Sequence, residues 1–116
     1  MKNKTLFVLL ENASSGAGQA VDLDNALVTH QQITSTTSSD FVSDGSQCDY
    51  VIEWSQTDPV NGPWESIMSD VCVSSSNQNS TFGFNVDPPY AFYKFVRARI
   101  ITPPSVGTIT VKFYVE

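Results

Sequence analysis

This chain is regularly punctuated. Short apolar stretches with a two-residue period recur about every ten residues, each closed by turn-forming residues. The clearest is the last. In Val106–Glu116, Gly107, Ile109, Val111, Phe113 and Val115 alternate with Thr108, Thr110, Lys112 and Tyr114. Successive side chains on a strand point to opposite faces, so this segment has one apolar and one polar face. Asp49–Ser55 likewise puts Tyr50, Ile52 and Trp54 inward and Val51, Glu53 and Ser55 outward. Ala91–Ile101 sets Phe92, Val96, Ala98 and Ile100 against Tyr93, Phe95, Arg97 and Arg99, and Thr81–Val86 groups Phe82, Phe84 and Val86.

Turn residues separate these stretches at Ser14–Gly18, Asp44-Gly45, Asp58–Pro63, Ser74–Asn79, Asp87-Pro88-Pro89 and Pro103-Pro104-Ser105. The proline pairs bar through-going strands, because proline has no N–H for the ladder. Shorter extended pieces are expected at Gln19–Leu23, Leu27–Thr34, Trp64–Ser69 and Val71–Val73. Asp22–Leu27 could start one helical turn, and Ser35–Gln47 reads as a loop or hairpin tip. The sum is an all-β chain: an antiparallel β-sandwich or jelly-roll-like fold of seven to nine short strands, without significant helix, as a single domain over 1–116.

The first strand is unusual. In Lys4–Glu11, Leu6, Val8 and Leu10 point one way and Phe7 and Leu9 the other, so both faces are apolar. Such a strand is expected to be central or covered by a partner. The start superficially resembles a signal peptide, but the apolar run is short and Glu11 interrupts it.

Composition narrows the function. Formal net charge is −6, and charged residues make up only 16%, against about 25% in an average soluble domain. The 25 serines and threonines fill the gap, as suits exposed strand faces and turns. All six basic residues lie at the two ends: Lys2, Lys4, Lys94, Arg97, Arg99 and Lys112. Phosphate binding needs clustered cations, so nucleic acid and anionic membranes are poor partners. A basic patch on another protein is a better one. No stretch approaches the ~20 apolar residues of a membrane span.

The residues of an enzyme are sparse. His30 is the only histidine, and with fifteen serines and eight aspartates available, a Ser-His-Asp pattern carries no information. Glu53 and Glu65 flank a turn and could face each other as a carboxylate pair, though solvated acids are the plainer reading. Asp22, Asp24 and Asn25 offer oxygen ligands, but their spacing matches no EF-hand loop. Cys48 and Cys72 are either two small buried side chains or a pair, and with one histidine they make no zinc site. Asn3, Asn12 and Asn79 head glycosylation sequons, which matter only in a eukaryotic secretory route. Trp54 reads as core. Trp64 follows Gly62-Pro63 and reads as packing over a turn, with stacking on a sugar ring as the alternative. No catalytic, cofactor or metal residue is expected.

Two phrases carry a resemblance. Asp49-Tyr-Val-Ile-Glu-Trp-Ser55, a turn, then Gly62-Pro-Trp-Glu-Ser-Ile67 form one. Pro89-Tyr-Ala-Phe-Tyr-Lys-Phe-Val-Arg-Ala-Arg99 with Gly107-Thr-Ile-Thr-Val-Lys-Phe113 form the other. Together with Gly16-Ala-Gly-Gln-Ala-Val-Asp-Leu23, they resemble small bacteriophage virion β-sandwich proteins of the capsid decoration, cement or head-fibre type. The turn Thr57–Pro63 is longer than the tight Asp-Gly version of that phrase, and discoidin-like carbohydrate modules share parts of the pattern. The resemblance implies a structural protein of the virion surface. It implies contact with the major capsid protein or another virion protein, homo-oligomerisation (a trimer), and no cofactor, nucleic acid or membrane. Leu6, Phe7, Val8, Leu9 and Leu10, or Tyr93, Phe95, Arg97 and Arg99, would form the interface. The alternative is a carbohydrate- or receptor-binding module of a tail or fibre, with Trp64 as its platform.

Overall fold

The computed structural model describes residues 5–73, 79–85 and 91–116. The expected turns at Ser74–Asn79 and Asp87–Pro89 fall almost wholly outside these residues, as does the sequon at Asn3. The side chains of Cys72, Phe82, Phe84, Val86 and Phe92 are outside the described set too. Within it the chain forms β1 (Thr5–Ala13), β2 (Val21–Val28), β3 (His30–Thr37), α1 (Ser39–Ser43), β4 (Gln47–Ser55), β5 (Glu65–Val73), β6 (Asn79–Asn85), β7 (Ala91–Thr102) and β8 (Ile109–Val115).

The strands make two four-stranded antiparallel sheets, ordered β1-β8-β3-β6 and β2-β7-β4-β5. Pairing runs from the chain ends inward: β1 with β8, β2 with β7, β3 with β6, β4 with β5. One long antiparallel ribbon has thus been folded over on itself, and β3–β8 and β4–β7 pairing closes the two sheets. That is the jelly-roll wiring of a β-sandwich.

The core is what alternation requires. On β8, Ile109, Val111 and Phe113 are fully buried and Val115 nearly so, while the residues between them are half-buried. They meet Leu9, Val28, Ile33, Tyr50, Ile52, Val96 and Ala98 in one apolar cluster. Each fully buried large side chain contributes about 1.5–3 kcal/mol relative to exposure.

Three local expectations are corrected. First, the register of β1 slips between Val8 and Leu10 and again before Ala13. A bulge breaks the two-residue period, so Leu9 and Leu10 both enter the core while Leu6 and Val8 stay exposed. Second, Asp22–Leu27 is not a helical turn. It lies in β2, broken where Asp24 and Asn25 adopt φ of 51° and 57°, a region that short polar side chains tolerate. Third, Ser35–Gln47 is ordered structure: the end of β3, α1 and the start of β4. Ser38 Oγ donates to Asp40 Oδ1 at 2.6 Å, and the same oxygen accepts Phe41 N–H at 3.1 Å. The turn drives Phe41 into the core at 0% exposure. Gly107, at φ +90°, lies so close that a Cβ there would meet Phe41 Cβ at 2.6 Å.

Candidate functional site

Register aligns one set of side chains on the outside of β1, β8 and β3. Leu6 lies beside Tyr114 and Val8 beside Lys112. Across β8, Tyr114 adjoins Gln32, Lys112 adjoins Thr34, and Thr110 adjoins Thr36. These eight positions carry one charge, Lys112, and no carboxylate, in a chain of net charge −6. Leu6 and Val8 are 46% and 43% exposed. The first-strand expectation is thereby sharpened. β1 is an edge strand, not a central one, and its apolar outer side is open.

The outside of β2-β7-β4-β5 is different in kind. Val51, Glu53 and Ser55, expected to face solvent, are all buried. The cause is β7, whose Arg99, Arg97 and Phe95 are their register partners. Arg97 Nε donates to Glu53 Oε2 at 2.7 Å. Arg99 donates to the same carboxylate from Nε at 3.1 Å and Nη2 at 3.3 Å. The Arg97 guanidinium lies 4.0 Å from the centroid of the Trp64 ring, well inside cation–π range. Nearby, Lys94 Nζ is 3.2 Å from both Asp22 and Asp24. Their hydrogen bonds, Asp24's first, hold the Lys94 ammonium above the usual lysine range.

The loop between β4 and β5 rises beside this network and is tied down. Asp58 Oδ1 accepts Val60 N–H at 2.8 Å and Asn61 N–H at 2.9 Å, which keep its carboxyl below the usual range. Thr57 Oγ1 donates to Gly62 O, and Gln56 Nε2 donates to Asn25 Oδ1. Between this loop and the segment entering β2 lies an open cleft of about 450 Å³, floored by Phe95 and Arg97.

The two alternative interface strands lie on separate surfaces. Leu6–Leu10 and Tyr93–Arg99 belong to different sheets. Leu9 and Leu10 are core, and Phe7 packs against it. Tyr93, expected to stand with Phe95, Arg97 and Arg99, is instead 7% exposed and packs against Trp54, with ring centroids 5.6 Å apart and the rings tilted by 53°. Tyr93 and Val96 are both buried with half-buried Lys94 and Phe95 between them, so alternation resets within β7. Burial, opposed by a hydrogen bond from Gln31, raises the Tyr93 phenol above its usual range. Trp64 is half-buried against Arg97 and Gly62, not displayed as a platform.

The residues weighed for chemistry are dispersed. His30 is exposed, with Thr29 Oγ1 3.1 Å from its Nδ1. Glu53 is held by two arginines, while Glu65 is exposed. Asp22 and Asp24 close on Lys94. Asn12 is exposed. Cys48 is buried, and Cys72 is its register partner across β4–β5. Among the described residues, no three His, Cys, Asp or Glu side chains group as metal ligands, and no helix is long and apolar enough to cross a membrane.

Gln19, Asp22 and the loop residue Val60 were not singled out together, because only the folded ribbon brings 19–22, 58–60 and β7 side by side. On the other sheet, the polar alternation of Thr108, Thr110, Lys112 and Tyr114 is legible in the sequence, whereas the alignment of Thr110, Lys112 and Tyr114 with Thr36, Thr34 and Gln32 on β3 and with Leu6 and Val8 on β1 is not. Compared with known proteins, the chain matches no family model, no curated protein and no solved structure.

Proposed function

We propose that this protein is a bacteriophage capsid decoration, or cement, protein. On this reading it is not an enzyme. It sits on the virion surface and binds the major capsid protein, or another virion protein, through the outer face of β1-β8-β3-β6. The observation that carries the reading is the exposure of Leu6 and Val8 at the edge of a sheet face where the eight aligned positions of β1, β8 and β3 carry one charge, Lys112. Exposed apolar side chains beside uncharged polar ones suit burial against another protein, since little charge must be desolvated.

Size favours attachment by several copies. Strand spacing and rise make the face roughly 20 Å across the strands and about 25 Å along them, an area below the ~800 Å² per partner of a standard stable interface. One copy would bind weakly, and a homo-oligomer such as a trimer would gain by avidity. Edge strand β1 is the natural place for copies to join.

The test is to strip the protein from its native particles and follow thermal dissociation of the shell. The reading expects a lower dissociation temperature after stripping, restored when purified protein is added back. Shells equally stable with and without the protein would contradict it.

A further inference from the structure

The cleft beside Phe95 is built like a ligand site, and nothing in the proposed shell contact uses it. It lies on the opposite sheet. Its volume of about 450 Å³ is within the ~300–1,000 Å³ of small-molecule sites. We propose that it binds a neutral saccharide, packing the apolar face of one sugar ring on Phe95, with sugar hydroxyls donating to Asp22, accepting from Arg97 and exchanging hydrogen bonds with Gln19.

The chemistry of the lining selects that class. Phe95 supplies a half-exposed aromatic ring at the floor, with Lys94 Nζ 5.2 Å from its centroid, and Pro59 and Val60 supply an apolar wall. Asp22 is the register partner of Phe95, and Arg97 follows Phe95 by two residues on the same strand, so both stand beside the ring. Amide, carboxylate and guanidinium are planar groups with paired donors or acceptors, suited to adjacent hydroxyls. Their charges are already answered inside the protein. Arg97 is bonded to Glu53, and Asp22 to Lys94. Arg97, Arg99 and Lys94 together balance Glu53, Asp22 and Asp24, so a phosphate or carboxylate ligand would meet no net positive charge, whereas a neutral polyhydroxyl ligand needs none.

The site is also held in shape before any ligand arrives. Arg97 is fixed from behind by Glu53 and across its face by Trp64. The wall bearing Pro59 and Val60 is pinned by Asp58 and by the Gln56–Asn25 hydrogen bond. Supporting bonds of this kind lower the ordering cost of binding. Trp64 packs one layer below, as a support for Arg97.

The test is amide-resolved NMR titration of the isolated protein with cellobiose, lactose, chitobiose and maltose at millimolar concentration. N-acetyl-leucine amide serves as a probe for peptide side chains. At least one sugar should shift the amides of Ala17–Asp22, Val60 and Phe95–Arg97. Phe95→Ala should weaken that binding about tenfold, roughly the value of one stacked ring. Gln19→Ala, at an exposed position that leaves the core intact, should weaken it as well. No sugar shifts at these residues, shifts confined elsewhere, or shifts from the leucine amide alone would overturn the proposal. The titration needs no capsid, so its failure would leave the shell-binding reading standing.

Discussion

Glu53 and Arg97 face each other as direct partners across the β4–β7 ladder, their side chains joined at 2.7 Å and almost shielded from water. Removing one member of a buried pair strands the other charge, which costs about 3–5 kcal/mol. Glu53→Met, which leaves the largely buried Arg97 without its carboxylate, should therefore be strongly destabilising in urea unfolding, and Arg97→Met less so, because Arg99 still holds Glu53. The double variant should recover most of that loss, since an apolar pair of similar volume needs no desolvation. Arg99→Ala should cost only about 1 kcal/mol, because that side chain is 44% exposed.

Gly107→Ala should destabilise by at least about 2 kcal/mol, combining a left-handed backbone with a clash on Phe41. Gly16→Ala shares the positive φ but has open space at its Cβ, so it should cost less. Urea midpoints of the two variants, measured side by side, separate strain from collision.

The bulge in β1 makes a prediction that plain alternation does not. Leu9→Ala and Leu10→Ala should each cost about 2–5 kcal/mol. Leu6→Ala, on the exposed side, should stay within about 0.5 kcal/mol. Had the strand alternated throughout, Leu10 would behave like Leu6.

Acid should weaken the fold in a defined direction. The folded-state carboxyls of Asp58 and Asp40 lie below their ordinary value of 3.8. Asp58 is held there by the Asn61 and Val60 amides, Asp40 chiefly by the Ser38 hydroxyl. A depressed pKa contributes stability that is present above 3.8 and lost as pH falls through the folded value. Thermal midpoints should therefore drop as pH is lowered below 3.8, and less steeply in Asp58→Ala than in the parent chain.

Much of the fold was legible because its strands obey local rules. The Ile109–Val115 alternation and the turn residues between strands each reflect a single physical cause acting over a few residues. What was hidden depended on partners far along the chain. Leu10 and Tyr93 were misassigned because bulges reset alternation, and a bulge is set by the neighbouring strand. Phe41 looked like an apolar interruption in a loop until Ser38 and Asp40 turned it into the core. The outward side of β4 looked solvated because nothing local reveals that Arg97 and Arg99 lie over Glu53. The site suffered most: Phe95, Asp22 and Val60 meet only once the ribbon has folded.

Shell binding is tested most directly by co-sedimentation of the purified protein with stripped shells of its native particle. The comparison is among wild type, a Leu6→Lys/Val8→Lys variant and a Leu6→Glu/Val8→Glu variant. Wild type should pellet with the shells at a saturable, fixed ratio. Both double variants should bind more than about tenfold more weakly whatever the sign of the new charge, because either sign buries an unpaired ion in an apolar contact. Wild type remaining in the supernatant, or both variants pelleting as wild type does, would contradict the assignment of this face.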